Sequence, residues 1–410
     1  MNRRSFLQAA VAFPYVARST VLGANDRVQV GFIGVGNRAR WLLRHEDFGD
    51  VQIAALADIS PWSLAEAMRF QPKGQVWRPY NDYRRMFEQE KLDGVFVETT
   101  THARVLVCMH ALQAGLDVYA EKPLTLTVEE GQGVTRAVRK LGRVLQTGTQ
   151  QRSIPINIHA SKLVAEGKIG KVEKVVVCNF LGPERWQPKP AQAIPAGLDW
   201  DVWCNQTELR PYHPEIHRGW AKYWDYDGGG QSWGVTGWGT HSLDQVQAAL
   251  GTDLTGPVEV RLETPGPEGK ITLVYAGGTR VCLEQPKIDD HQQLGAIFQG
   301  TNGEIQILRG DFKTNRAELK AGSPDVVVEG PGENSYHIRN FAQAIRSRTR
   351  PNADVEIAHR STTLCHLVNI CRELQRSLRW NPAAERFEND PEANAKLARP
   401  RRKGYELPAV

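Results

Sequence analysis

The chain alternates short apolar runs with amphipathic stretches. "RVQVGFIGVGNRARWLLRH" (27–45) reads as a buried strand over Val28–Ile33, a glycine turn, and a helix from about Asn37. A second apolar strand, "VQIAALAD" (51–58), ends on Asp58. "GVFVETTTHARVLVCMHALQAGLDVYAEKPLT" (94–125) predicts a strand over 94–98, a helix over about 103–114 that Gly115 stops, and a short strand over 117–120. "LGRVLQTGTQ" (141–150) adds another strand. Such alternation implies parallel pairing with helices on both faces, so residues 25–150 are expected to form a doubly wound α/β domain of the dinucleotide-binding (Rossmann) type.

After residue 150 the pattern changes. "KVEKVVVCNF", "VEVRLE", "KITLVYAGG", "TRVCLEQP", "GAIFQGTNGEIQIL" and "DFKTNRAELK" read as strands joined by glycine turns. They predict an open, largely antiparallel sheet in a second α/β domain over 151–380. Between its first two strands lies an insertion, 182–240, rich in Trp, Tyr, His and Gly. Insertions of that length in a compact domain usually carry function. Helices over about Tyr336–Arg346 and 358–377 follow, and the polar tail 381–410 is expected to wrap the surface.

Composition narrows the function classes. At 410 residues, with 41% hydrophobic and 24% charged positions, the chain has the make-up of a two-domain globular protein. Three units of its +5 formal charge come from Arg3, Arg4 and Arg18, and the near balance of the rest argues against a nucleic-acid binder. No apolar run reaches the roughly 18–20 residues of a membrane span. The cysteines, at 108, 178, 204, 282, 365 and 371, form no CxxC pair and no metal-ligand spacing, so buried free thiols and no metal are expected. Residues 1–24 differ. Twin arginines, Phe6-Leu7 and a weakly apolar run of small residues have the layout of a twin-arginine export signal. That predicts a periplasmic or other extracytoplasmic protein, delivered folded by the twin-arginine machinery. No cysteine follows the run to take a lipid anchor, and Pro14 precludes a spanning helix.

The first glycine turn carries the chemistry. "GVGNRA", Gly34–Ala39, fits G-x-G-x-x-A directly after a strand. Gly34 allows the tight turn, Gly36 lets the backbone approach a pyrophosphate, and Ala39 keeps helix and strand close. The helix start at Asn37 and Arg38 offers unpaired N–H groups and positive dipole to the phosphate. Asp58, closing the second strand, suits a carboxylate that accepts the adenosine ribose hydroxyls. An acid there repels a 2′-phosphate, so NAD is favoured over NADP.

With that motif, "AEKPLT" (120–125) makes the sequence resemble the glucose–fructose oxidoreductase / inositol dehydrogenase / MocA family. "GTQQRS" (148–153), "LDWDVW" (198–203), "NFAQAIRSRTRP" (340–351) and "NDPEANAKLARPRR" (389–402) are similar to an exported branch of it. The resemblance implies a Rossmann domain, a C-terminal α/β domain with an open sheet, tightly held nicotinamide, a sugar or polyol substrate, and a homodimer or homotetramer. It places Lys122 beside the nicotinamide and the reacting carbon, with Glu121 and Pro123 fixing the turn. It also places Thr99, Thr100, His102 and Gln150 along the cofactor, and His241 in the acid/base position.

This chain departs from the pattern at two places. Gly237 stands where the family usually has an Asp four residues before the histidine, so His241 is expected near its unperturbed pKa of ~6.5. Asp225 or Asp227 could substitute in space, while Asp244 reads as a first-turn helix acid. In "TTTHAR" (99–104), Thr100 replaces a proline and Arg104 a second histidine; Arg104 reads equally as an anion clamp or a surface arginine. Of the insertion's aromatic and polar groups, Tyr212 and His217 are the expected substrate contacts, together with Arg152 and Trp238.

Three functions fit. The first is an NAD-dependent dehydrogenase of a sugar or glycoside, with Lys122 polarising the oxygen and His241 taking the proton. The second is a redox-neutral NAD-dependent glycosidase, although the α-N-acetylgalactosaminidase group tends to lack the lysine kept here. The third is a non-catalytic sugar-binding module. The retained glycine turn, Asp58 and Lys122 favour the first.

Overall fold

The computed structural model describes residues 27–231, 233–285, 294–324 and 334–410. The twin-arginine segment lies outside the described residues.

The apolar runs become strands where they meet at the centre of two sheets. In the first domain the order is β1 (Val28–Ile33), α1 (Asn37–His45), β2 (Val51–Ala57), α2 (Pro61–Met68), β3 (Arg78–Tyr80), α3 (Tyr83–Gln89), β4 (Gly94–Val97), α4 (Thr101–Gln113), β5 (Asp117–Ala120), α5 (Val128–Lys140) and β6 (Leu145–Thr147). All six strands pair in parallel, in the spatial order β3-β2-β1-β4-β5-β6. Phe32, Leu56, Phe96 and Tyr119 pack under α1 and α2 on one face; Ile33, Val95, Val97 and Val118 pack under α4 and α5 on the other. Strand order reverses between β1 and β4, and ligands of such sheets bind outside the carboxyl ends at that point. The predicted helix over 103–114 starts two residues earlier, because Thr100 takes the N-cap position.

The second domain follows a 3₁₀ turn over Gln150–Ser153. It runs α6 (Pro155–Ala165), β7 (Val172–Cys178), the short helices α7 (Trp200–Cys204) and α8 (Pro214–Gly219) of the insertion, then α9 (Trp238–Leu250). β8 (Glu259–Leu262), β9 (Ile271–Val274), β10 (Arg280–Gln285), β11 (Ala296–Gly300), β12 (Gly303–Ile307) and β13 (Phe312–Thr314) come next. α10 (Ser335–Ser347), α11 (Val355–Leu374), β14 (Leu378–Asn381), β15 (Arg386–Phe387) and α12 (Pro391–Ala395) complete it. The nine strands order as β13-β12-β11-β7-β10-β9-β8-β14-β15, with only β7 and β10 parallel. α6, α9 and α11 bury their apolar stripes, Ile156–Ala160–Val164, Leu243–Val246 and Leu364–Leu367–Val368, against this sheet.

Two expectations at the C-terminal end change. α11 stops at Leu374 rather than 377: Gln375 turns left-handed at φ +53°, and Leu378 pairs with Val260 as a new sheet strand. The tail is more than a surface wrap. Trp380, Phe387 and Leu397 join the core, Arg401 ion-pairs with Glu130, and the Tyr405 hydroxyl donates to Asp201 at 2.7 Å. All six cysteines are buried and free. No helix among the described residues is long and apolar enough to cross a membrane.

Candidate active site

The glycine turn sits at the switch point. Gly34 has φ +81°, and a Cβ there would lie 2.9 Å from the Thr99 backbone, so β1 and β4 can close up only around glycine. Gly36 has no atom within 4 Å of its Cβ position, which leaves open the space a pyrophosphate needs above the α1 N-terminus. Asp58 accepts from the backbone N–H of Val35 (2.7 Å) and of Ser60 (2.8 Å). It therefore braces the glycine turn directly, and each oxygen keeps a lone pair for a ribose hydroxyl. Burial pushes its carboxyl upward, against these two bonds and Arg40. Asn37 is exposed and accepts from Arg40 at 2.6 Å.

Lys122 reaches from the first domain to the turn that opens α9, the helix carrying His241. The Lys122–Pro123 peptide is cis. Lys122 Nζ donates to the Gly237 carbonyl at 3.0 Å, one helical turn before His241 on α9. Burial lowers the Lys122 pKa, while Glu121 and Asp227 oppose that shift. Burial also holds His241 well below the ordinary histidine value, and the positive charges of Lys122, Arg309 and Arg38 add to it. This corrects the expectation of a near-normal pKa: losing the family's carboxylate leaves His241 among cations, as a neutral ring with Nδ1 unpartnered. Gly237 itself cannot carry the missing Asp, since a Cβ there would lie 2.0 Å from the Gln231 carbonyl oxygen.

Several predicted contacts are engaged in the protein itself. Glu121 pairs with Arg38 Nε at 2.7 Å and accepts from its own neighbour's N–H, Lys122, at 2.9 Å. Thr100 stands at the N-cap position of α4 without a side-chain capping bond, and the His102 ring donates through Nε2 to the Trp203 carbonyl at 2.7 Å. Burial drives the His102 pKa to about 4. Arg104 is neither a surface arginine nor an open clamp: it is buried, reaching the Pro123 carbonyl and, at 2.7 Å, that of Thr99. Arg152 is bound by Asp244 (2.6 Å) and Asp253 (2.7 Å), which removes it from the free substrate clamps and moves Asp244 from first-turn acid to buried ion-pair partner. Asp225 pairs with Arg210 at 2.9 Å.

Tyr212 and His217 pack in a separate aromatic cluster with Trp200, Trp203 and Tyr226. Trp238 opens α9 with its ring 3.9 Å from that of Trp233. The insertion's cluster includes Ile59, next to Asp58, and a Cβ on Gly197 would lie 2.9 Å from Pro61 Cγ. The insertion thus touches the start of α2 on one face of the parallel sheet and, through His102, the start of α4 on the other.

Buried polar atoms without a protein partner include both Glu98 carboxyl oxygens, Thr99 and Thr149 Oγ1, both ends of the Gln151 amide and His241 Nδ1. They follow the carboxyl ends of β4 and β6 or sit on α9, and a polar ligand is what satisfies such groups. With Gly34, Gly36 and Asp58 they fit a dinucleotide. With its amide turned to suit its neighbours, Gln150 donates to the Gly148 carbonyl (2.9 Å) and accepts from Arg309 (2.5 Å). Sequence reasoning missed Glu98, Gln151 and Arg309. Only Glu98 carried a signal, as a lone charge closing an apolar strand.

This fold and site define a two-domain protein whose first domain is built to hold a dinucleotide. Residues 28–149 match "Oxidoreductase family, NAD-binding Rossmann fold" and residues 155–407 match "Oxidoreductase family, C-terminal alpha/beta domain". The chain belongs to the Gfo/Idh/MocA oxidoreductase family, and its cofactor is NAD. It is 29% identical over 145 residues to inositol 2-dehydrogenase/D-chiro-inositol 3-dehydrogenase of Lactiplantibacillus plantarum, covering 35% of this chain and 40% of that protein. A glycosyl hydrolase family 109 protein of Stenotrophomonas maltophilia is 28% identical over 191 residues, 42% of this chain and 40% of the relative. The chain thus spans less than half the length of these curated relatives. The WlbA dehydrogenase of Bordetella pertussis, solved with NADH and UDP-GlcNAcA, shares the fold at TM-score 0.63 and 18% identity, over 87% of this chain and 99% of that one.

Proposed function

We propose that this protein transfers hydride between a ring carbinol of a sugar, sugar derivative or glycoside and tightly held NAD. One observation carries the reading: Lys122 Nζ is fixed on the Gly237 carbonyl, four residues before the buried, neutral His241, on which its charge acts. Bound nicotinamide supplies the hydride acceptor. Oxidation also requires the hydroxyl proton to leave and the developing alkoxide to be stabilised. Lys122, half-buried, offers its charge in a site where water screens it little. The uncharged His241 ring has a lone pair free to take the proton, which an imidazolium lacks. Its cationic surroundings make that proton easy to pass on.

Similarity to a glycosyl hydrolase family 109 protein supports a second reading, redox-neutral cleavage by oxidation, elimination, hydration and reduction. The test is incubation of the protein, purified with its cofactor, with a panel of glycosides and mass spectrometry of the products. A product two hydrogens lighter with its aglycone attached is expected. Free aglycone with unoxidised sugar would establish the second reading, and unchanged glycosides throughout would sink both.

A further inference from the structure

We propose that Asp227 is the positioning carboxylate of this site, fixing Lys122 through both segments that hold it. The inference rests on the role of Lys122 proposed above. Asp227 is buried at 1% exposure, on the glycine-rich turn before α9. Its Oδ2 accepts from Thr101 Oγ1 at 2.5 Å, and its Oδ1 accepts from Thr236 Oγ1. Each threonine leads to Lys122. Thr101 Oγ1 also accepts from Arg104 at 3.1 Å, and the same guanidinium grips the carbonyl of Pro123, the residue after Lys122. Thr236 precedes Gly237, whose carbonyl receives the Lys122 ammonium. One carboxylate therefore joins the Rossmann-side and α9-side supports of a single cation.

The glycines explain why the carboxylate enters from ten residues upstream. Gly237 cannot bear a side chain, and a Cβ on Gly230 would lie 2.4 Å from Asp227 Oδ1, so the turn closes directly over the acid. By charge, Glu121 and Asp227 raise the ammonium's proton affinity against burial, Arg38 and Arg104, while burial pushes the Asp227 carboxyl itself upward against its two threonine bonds. His241 is not held by it: the Asp227 carboxyl is committed to the two threonines.

The decisive experiment is Asp227→Asn in the full chain. Reductive ¹³C-methylation, with the Lys122 signal assigned by Lys122→Arg, gives the lysine's titration by NMR without turnover. The pKa of Lys122 is expected to fall in Asp227→Asn and to stay at its wild-type value in Thr236→Val, which keeps the charge but cuts one support. With substrate, both variants should lose roughly 10–100-fold in kcat at unchanged NAD affinity, the scale of a small misplacement of a reacting group. An unchanged Lys122 titration in Asp227→Asn overturns the assignment; if that variant does not fold, wild-type turnover in Thr236→Val does so. A wild-type enzyme that oxidises no sugar defeats the proposed function alone, because the NMR titration still reads Asp227.

Discussion

Lys122 and His241 are poised by opposite treatments of charge in one buried space. Burial disfavours the charged form of both, but only Lys122 has carboxylates, Glu121 and Asp227, to oppose it. The proposed reaction uses a charged lysine and a neutral histidine, and these surroundings favour that pair of states. kcat/KM should fall on the acid side as His241 protonates, below pH 6.5, and on the alkaline side as Lys122 loses its proton, below 10.5. Lys122→Met should lower kcat by about 10²–10⁴-fold and abolish the alkaline limb, read from the pH–rate profile. Lys122 and Asp58 were legible because a local motif carries each of them. Asp227 was legible only as one of two alternatives and Arg104 only as a clamp or surface arginine, because their contacts with Thr236 and the Pro123 carbonyl are made only by the fold.

At the scale of elements, the glycine-punctuated strands were legible because each was an apolar run with its turn beside it. The boundary of α11 was not: a left-handed Gln375 and a pairing with β8, over a hundred residues away, decide it. The tail's place was hidden likewise, since its ion pair with Glu130 joins residues 271 positions apart. The α9 start is the element on which the site depends most. Gly237→Ala would drive a methyl group to 2.0 Å from the Gln231 oxygen. Expected are a stability loss of about 1–3 kcal/mol in urea unfolding, typical of overpacking, and a lower kcat with NAD affinity kept.

Across the whole molecule, the two domains share buried histidines that refuse protons. Burial lowers His102 and His337 to about 4 and His366 to about 3. Each lies below the unfolded value of ~6.5, so below that pH the unfolded chain takes up protons that the folded one excludes. Stability should be full above about pH 6.5 and fall toward pH 4, by up to ~1.4 kcal/mol per pH unit for each histidine. Melting temperatures across pH 4–8 check this, and His102→Gln should flatten the slope; a flat wild-type curve would contradict it.

The insertion's two footholds, Pro61 beyond β2 and His102 on α4, lie on opposite faces of the same sheet. The ribosome makes that bridge only after every strand of the first sheet, and the tail residues that grip it, Arg402 and Tyr405, come later still. The first sheet, with its glycine turn, is therefore complete before the chain that bridges its two faces has been made.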